Sequence, residues 1–212
     1  MPEQRPSKQA ETRTDAAGNG TRSFHQQAEN VAGIPPMSRM NTLLLNEEIY
    51  HRLIQEEIPA ARRFVWIATA DIKDLHVERG KRYIPFLRVL DELVGQGVAV
   101  RLIHAKEPGP RFRADFDQCA ALLESDLFER ILCPRVHLKC VIIDGRLAFH
   151  GSPNLTGAGM GSKHPDRRNF ESGVLTDDPA QVATLMDFLD RLYLGEFCTA
   201  CKLRDLCPDP IG

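Results

Sequence analysis

The chain has 212 residues, of which 42% are apolar and 26% charged, enough apolar side chain for one domain with a sizeable core. This composition excludes a chain that is disordered throughout. Its 27 Lys and Arg residues balance 29 Asp and Glu residues, which excludes a uniformly basic protein held to nucleic acid by bulk charge but still allows a local basic patch. No apolar stretch reaches the roughly 20 residues of a membrane helix.

Residues 1–40 are rich in Pro, Gly, Ser, Thr and Gln and poor in large apolar side chains, which is typical of a flexible tail. The first 20 residues lack the run of roughly 7–15 apolar residues that forms the core of a signal peptide. We therefore expect a cytoplasmic protein. In that reducing compartment the six cysteines are thiols or metal ligands rather than disulfides.

Helix and strand patterns begin at Asn46, a predicted helix cap that precedes apolar residues at helical spacing as far as Ile58. The apolar run Phe64–Thr69 predicts a buried strand. A second helical pattern ends at Gly95, and Val98–Ile103 reads as the next strand. Strand, helix and strand in this order predict a βαβ unit.

The second half of the chain continues with one helix, three strands and a final helix. The pair Asp144-Gly145 indicates a tight hairpin turn between the first two strands. The final helix has Pro at its first position and an apolar stripe. In chain order these elements are the helix Phe116–Leu123, the strands Val136–Ile143, Leu147–His150 and Glu171–Leu175, and the helix that begins at Asp178-Pro179.

Chemistry is concentrated in one segment with the pattern His-x-Lys-x4-Asp-x6-Gly-Ser-x-Asn. On a strand, alternate residues share a face with Cα atoms about 6.6 Å apart, so an imidazole and an ammonium would share one cleft. Imidazole is a nucleophile near neutral pH, and lysine supplies a positive charge for phosphate oxygens. The bland alternative is an exposed strand face followed by an ordinary turn, but six fixed positions arise by chance roughly once in 10⁸ starts. The specified residues are His137, Lys139, Asp144, Gly151, Ser152 and Asn154.

This pattern resembles the HKD motif of the phospholipase D superfamily, and every specified position is matched. The resemblance covers about residues 45–195. It implies an α/β fold with a mixed β-sheet flanked by helices, and one catalytic domain over residues 41–196. It also implies that His137 attacks phosphorus to form a phosphohistidine without a catalytic metal or other cofactor. Ser152 and Asn154 would donate hydrogen bonds to the phosphate oxygens.

Superfamily members use a second motif histidine to protonate the leaving group, and this chain has one copy of the motif. The resemblance therefore implies a homodimer in which two His137 side chains face each other across a twofold axis. Glu171 is the candidate carboxylate for orienting the histidine. Asp144 lies at the predicted hairpin turn, where we expect a structural or orienting role.

Other polar residues carry weaker signals. His104 and Lys106 repeat the His-x-Lys pair without the rest of the motif, and we interpret them as loop residues. Two basic runs are solvated faces or polyanion contacts. The runs are Arg79, Lys81 and Arg82, and Lys163, Arg167 and Arg168.

The segment 197–212 is a cysteine-rich tail with Cys198, Cys201 and Cys207. Three cysteines in ten residues suit a structural zinc ion or an iron–sulfur cluster, and Cys133 is the candidate fourth ligand. The alternative is free thiols in a loose tail. We expect the two remaining cysteines, Cys119 and Cys140, to lie in the core.

The sequence thus favours a phosphodiesterase and leaves its substrate open. One motif per chain and the nearby arginines favour nucleic-acid phosphodiesters. The first alternative is cleavage of phosphatidyl headgroups in phospholipids. The second is a dimeric module that binds phosphate without catalysis, which would not need the nucleophilic histidine.

Overall fold

The computed structural model describes residues 40–211, so the predicted tail lies outside the described residues except for Met40. Nine strands are present among these residues. They are β1 (Asn41–Leu45), β2 (Phe64–Thr69), β3 (His76–Arg79), β4 (Arg82–Pro85), β5 (Ala99–His104), β6 (Phe128–Leu132), β7 (Lys139–Ile143), β8 (Leu147–Gly151) and β9 (Ser172–Thr176).

Five α-helices accompany the strands, and the first continues directly into a π-helix. They are α1 (Glu47–Ile49) with the π-helix Tyr50–Glu57, α2 (Phe86–Gly95), α3 (Pro110–Phe116), α4 (Ala120–Glu124) and α5 (Pro179–Tyr193). Short 3₁₀ turns cover Pro165–Arg167 and Arg204–Leu206. None of the helices within residues 40–211 is long and apolar enough to cross a membrane.

Seven strands form one mixed sheet in the order β1-β9-β8-β7-β2-β5-β6, and β3 and β4 form a separate hairpin. The strands β2, β5 and β6 run parallel, whereas the pairs from β2 towards β1 are antiparallel. The chain from β2 through α2 to β5 is the predicted βαβ unit. The predicted mixed sheet flanked by helices is confirmed.

Alternation along the strands gives the sheet two apolar faces. One face packs against the π-helix and α2 and includes Ile67, Val141 and Phe149. The opposite face packs against α5 and includes Cys140 and Ile142. Because both faces of the central strands are covered, these strands read in the sequence as continuous apolar runs.

The predicted helix Phe116–Leu123 is wrong, because the chain breaks there and forms α3 and α4 instead. The break is fixed from outside, since the carboxylate of Asp91 on α2 accepts hydrogen bonds from the N–H groups of Ala121 and Leu122 at 2.8 and 3.2 Å. These groups begin α4 and lack partners within it. Cys119 lies at the break, and it is fully buried as expected.

Asn46 does not cap the helix that follows it. Its backbone has a φ of 50°, its N–H donates to the carbonyl of Glu171 at 2.9 Å, and its Oδ1 accepts from the N–H of Glu171 at 3.1 Å. Asn46 therefore joins the end of β1 to the residue that precedes β9. This contact was invisible to a local reading of the sequence.

Two further boundaries differ from the sequence prediction. The strand β7 begins at Lys139 rather than Val136, so His137 lies on the segment that leads into the strand. His104 is the last residue of β5 and is fully buried, so its predicted loop position is wrong.

The turn between β7 and β8 is fastened to β2 by one carboxylate. The Asp144 side chain accepts the backbone N–H groups of Arg62, Arg63 and Phe64 at 2.7–3.1 Å. Asp144 adopts a φ of 55°, a left-handed conformation that Asn and Asp tolerate better than most residues. The side chain of Asp144 is only 8% exposed, so its oxygens are largely shielded from water.

The far ends of β8 and β9 approach closely because two glycines face each other there. Gly151 pairs with Gly173 in the register. A Cβ on Gly151 would lie 2.5 Å from the carbonyl oxygen of Ser172, and a Cβ on Gly173 would lie 2.3 Å from the ring of Phe149. Neither position can hold a side chain without moving backbone or a buried ring.

Replacement of Asp144 by Ala should lower the free energy of unfolding by about 2–4 kcal/mol, because it leaves backbone donors unpaired and strains the turn. Asp144→Asn keeps the turn preference and should lose less. Denaturant titration measures both. Asp187→Ala removes an exposed carboxylate on α5 and should change stability by less than about 0.5 kcal/mol. Equal losses in Asp144→Ala and Asp187→Ala would contradict the anchoring role.

Gly151→Ala should destabilise the protein by about 1–3 kcal/mol, as overpacking generally does. Gly95→Ala is the matched control, because its Cβ would meet nothing within 4 Å and alanine favours the helix. Thermal unfolding should therefore shift downwards in the first variant and stay level or rise in the second. A Gly151→Ala protein as stable as the wild type would refute the close approach of β8 and β9.

Candidate active site

His137 and Lys139 contact each other at the edge of the sheet where β7 begins. The Lys139 ammonium donates to His137 Nδ1 at 2.8 Å and to the carbonyl oxygen of His137 at 2.9 Å. The imidazole is exposed, and Lys139 is partly buried. In this arrangement Nδ1 is a hydrogen-bond acceptor, and the lysine holds the ring in place.

Ser152 and Glu171 form a second contact just beyond the ends of β8 and β9. The Ser152 hydroxyl donates to Glu171 Oε2 and accepts from the N–H of Ser172 at 3.1 Å. The other carboxylate oxygen, Oε1, accepts from Asn169 Nδ2 at 3.0 Å. The carboxylate of Glu171 thus positions the motif serine, whereas the sequence prediction was that it orients the histidine.

Asn169 is a member of this network to which the sequence analysis assigned no role. Its signal in the sequence was its place two residues before Glu171. Asn46 binds the backbone of Glu171 and Asn169 binds its carboxylate, so the residue is held at both ends.

Asn154 lies on the loop after β8, and its Oδ1 is buried without a hydrogen-bond partner among the described residues. The next residue, Leu155, donates its N–H to the hydroxyl of Thr69 at 3.0 Å. Thr69 pairs with Lys139 between β2 and β7, so Asn154 is held near the strand end that carries the lysine. An unpaired buried amide oxygen costs about 1–3 kcal/mol.

The sheet register brings five of the six predicted catalytic residues to one edge. Cys140 pairs with His150, so the next position sets Lys139 opposite Gly151. Asp144 lies at the other end of β7, about 17 Å away at about 3.4 Å per residue. Of the two roles that the sequence allowed for Asp144, its contacts support the structural one. The five residues at the shared edge are His137, Lys139, Ser152, Asn154 and Glu171.

An open hollow of 580 Å³ lies on the face of the sheet that α5 covers, and its wall includes His137 and Lys139. Cys140 lies on this face, so strand alternation directs the Lys139 side chain to the opposite face. His150 of β8 and Gln181 and Thr184 of α5 contribute polar groups to the hollow.

The rim of the site carries an exposed aromatic ring and one exposed arginine. Phe170, between Asn169 and Glu171, is 98% exposed. Arg167 is exposed, whereas Arg168 pairs with Glu47 at 3.0 Å and is partly buried. Lys163, the third residue of this predicted basic run, lies 3.6 Å from the carboxylate of Asp74. Arg167 alone of the three faces solvent, with Asp166 4.0 Å away. In the other run, Arg79 pairs with Glu92 at 3.2 Å.

His104 and Lys106 do not belong to this cleft. The Arg130 Nε–H donates to His104 Nε2, and His104 Nδ1 lies 2.8 Å from the carbonyl of Lys106, so the ring is neutral with its proton on Nδ1. Burial lowers the pKa of His104 below its ordinary value, which agrees with this state.

The cysteines divide into two groups. Burial raises the pKa of Cys119 to about 11 and that of Cys140 to about 12, so both are inert core thiols. The four predicted metal ligands line one separate cavity. They are Cys133, Cys198, Cys201 and Cys207.

Residues 54–193 match a family model described as "Cardiolipin synthase, PLD-like domain". No curated protein matches the chain.

Three solved structures share the fold. NucT from Helicobacter pylori is 18% identical with a TM-score of 0.54, over 72% of this chain and 94% of that one. Nuc from Salmonella typhimurium, a phospholipase D family member, is 15% identical with a TM-score of 0.53, over 73% and 95%. Phosphatidylserine synthase from Haemophilus influenzae is 17% identical with a TM-score of 0.52, over 72% of this chain and 38% of that one.

The match to the family model covers well over half of the chain and includes the whole His137–Asn154 motif. The solved structures agree with it at the level of the fold. The chain therefore belongs to the PLD-like domain family, within the phospholipase D superfamily of phosphodiesterases.

Proposed function

We propose that this chain is a metal-independent phosphodiesterase that cleaves nucleic acid through a phosphohistidine on His137. The observation that carries the proposal is the contact between His137 and Lys139 at a sheet edge that also holds Ser152, Asn154 and Glu171. A nucleophile, a fixed positive charge and hydrogen-bonding groups are what attack on a phosphodiester requires.

The bound phosphate competes with His137 for the ammonium of Lys139. Once the ammonium turns to the phosphate oxygens, the imidazole is free to attack phosphorus. A P–N bond forms, the P–O bond to the leaving group breaks, and the leaving oxygen takes a proton from a second imidazole. That imidazole then removes a proton from water, the water oxygen attacks phosphorus, and the P–N bond breaks to restore His137.

The second imidazole is proposed to be the partner's His137 in a homodimer, because the chain carries the motif once. The face of the sheet that α5 covers is left open towards the edge strand β1. There Leu43 is 61% exposed and Leu45 47% exposed, and Leu43 lies in one row with Val174 and His150 across β9 and β8. His150 and His137 both line the hollow at this end of the sheet, so a second copy on this face would lie next to the motif histidine.

Nucleic acid is the proposed substrate because the rim of the site carries an exposed aromatic ring and an exposed arginine. The ring of Phe170 can stack on a base, a contact worth about 1–3 kcal/mol, and Arg167 can contact the backbone phosphates. A nucleic-acid substrate and six unbridged cysteines both suit the cytoplasm.

Phospholipid headgroups are the second candidate substrate. The likeness to phosphatidylserine synthase and the exposed apolar residues Leu43, Leu45 and Phe170 favour it. A phosphate-binding module without catalysis is the third, and the His137 to Lys139 contact argues against it, since binding alone does not use a nucleophile.

The His137→Ala protein should lose phosphodiester cleavage to background, because the nucleophile is absent. Purified full chain is incubated in EDTA with labelled single-stranded DNA, duplex DNA, RNA and phosphatidylcholine vesicles, so that the substrate classes are compared directly. His51→Ala, which removes an exposed histidine of the π-helix, is the control and should keep full activity. Lys139→Ala should lose at least about 10²-fold.

Activity of His137→Ala within tenfold of the wild type would overturn the mechanism. Cleavage of vesicles alone would move the substrate to phospholipid. Binding of nucleic acid by a wild-type protein that cleaves none of the four substrates would support the binding module.

The wild type should sediment at twice the 23.8 kDa mass of one chain, and Leu43→Glu with Leu45→Glu should sediment as a monomer with little activity. The two introduced carboxylates would be buried and would face each other's copies in the proposed interface, which would prevent dimer formation. Leu123→Glu, an equally exposed leucine on α4, should leave both dimer and activity intact. A fully active monomer at assay concentration would exclude a shared site.

A further inference from the structure

Four of the six cysteines surround one cavity of 490 Å³ that the proposed reaction does not use. It lies between the connection from β6 to β7, the end of α5 and residues 197–211. The remainder of the wall is mainly apolar, and the four cysteines are partly exposed. The cysteines are Cys133, Cys198, Cys201 and Cys207, and the apolar wall includes Ile103, Ile131, Val136, Leu192, Phe197 and Ile211.

The backbone around these thiols is already folded. The N–H of Cys201 donates to the carbonyl of Cys198 at 3.1 Å, and the N–H of Cys207 donates to that of Arg204 at 3.1 Å. Backbone N–H groups two residues on point at two of the sulfurs, from Arg135 to Cys133 and from Leu203 to Cys201. Such N–H···S hydrogen bonds are common around metal-bound cysteine.

The cysteine-rich segment is also fastened to the sheet. Asp209 accepts the N–H of Leu132, the last residue of β6, at 2.7 Å, and the Cys207 thiol lies 3.7 Å from the carbonyl of Leu132. The four sulfurs are therefore brought to one place by contacts that do not include a metal, which disagrees with the alternative of a loose tail.

A structural zinc ion and a four-iron cluster require different arrangements of the thiols. A structural zinc ion needs four ligand atoms about 2.0–2.3 Å from one point. Among residues 40–211, no three His, Cys, Asp or Glu side chains converge closely enough to hold a single ion. A four-iron cluster binds one cysteine to each iron, so its four sulfur ligands lie farther apart around a larger body.

We propose that Cys133, Cys198, Cys201 and Cys207 each bind one iron of a four-iron, four-sulfide cluster in this cavity. Each thiol loses its proton on binding, and two ferrous ions, two ferric ions and four sulfides supply the cluster, so its assembly needs no further oxidant. Cys133 lies four residues before His137, and His137 and Leu138 belong to the cavity wall. The cluster thus fixes the segment that presents the histidine, a consequence that rests on the proposed function.

Protein purified without oxygen, or reconstituted under argon with equal amounts of ferrous and ferric iron and with sulfide, should contain about four irons and four acid-labile sulfides per chain and should be brown. Cys201→Ser should lose most of this iron, and its Tm should fall by more than about 5 °C. Cys198→Ala repeats the test at a second ligand. Cys119→Ala, a change at a buried cysteine outside the cavity, should keep the full iron content.

One zinc per chain without iron would overturn the cluster in favour of a structural ion. Four freely titratable thiols after attempted reconstitution would overturn any metal site. Iron is measured independently of cleavage, so the two proposals fail separately. His137→Ala should lose activity and keep its iron, whereas an iron-loaded wild type without activity would refute the phosphodiesterase alone.

Discussion

The antiparallel register of the β7–β8 hairpin is the constraint on which the site depends. The spacing of the motif is the length of that hairpin, since four residues lead from Lys139 out to Asp144 and six lead back to Gly151. One residue more or fewer in either arm would turn the following side chains to the opposite face of the sheet. The contacts of Asp144 are structural, because they fix the turn from which the lengths of both arms are counted.

Close approach of β8 and β9 completes this arrangement. The pair Gly151 and Gly173 removes side chains where the strands end, and Ser152 then reaches Glu171. The motif glycine Gly151 therefore positions Ser152 indirectly: it allows the backbones of β8 and β9 to lie close together.

Local pattern predicted the elements that are covered on both faces. The strand Phe64–Thr69, the hairpin and α5 were legible because burial requires continuous apolar runs or an apolar stripe. Four strands could not be predicted from local pattern: β1 and β6 at the two edges of the sheet, and β3 and β4 in the separate hairpin. Their side chains alternate between apolar and polar or carry charge, so these strands lack a continuous apolar run.

The partners of polar groups were harder to predict than the elements. Glu171 was identified as a site residue, but its contacts with Ser152 and Asn169 depend on register between distant strands. Asn46 has the sequence signature of a helix cap and instead binds Glu171. His104 looked like a loop residue because nothing local shows that β5 extends to it or that Arg130 lies beside it.

The hydrogen bonds between Asn46 and Glu171 affect the order in which the site forms during folding. This contact joins residues 125 positions apart, and the pairing of β1 with β9 spans a similar distance. Closing so long a loop costs entropy that nearer pairings, such as the β7–β8 hairpin, do not pay. A folding intermediate can therefore contain the βαβ unit and the hairpin with its histidine and lysine while the carboxylate still lies far from the serine. Native hydrogen exchange would then show β1 and β9 opening before the central strands, which means that the catalytic edge is assembled last and released first.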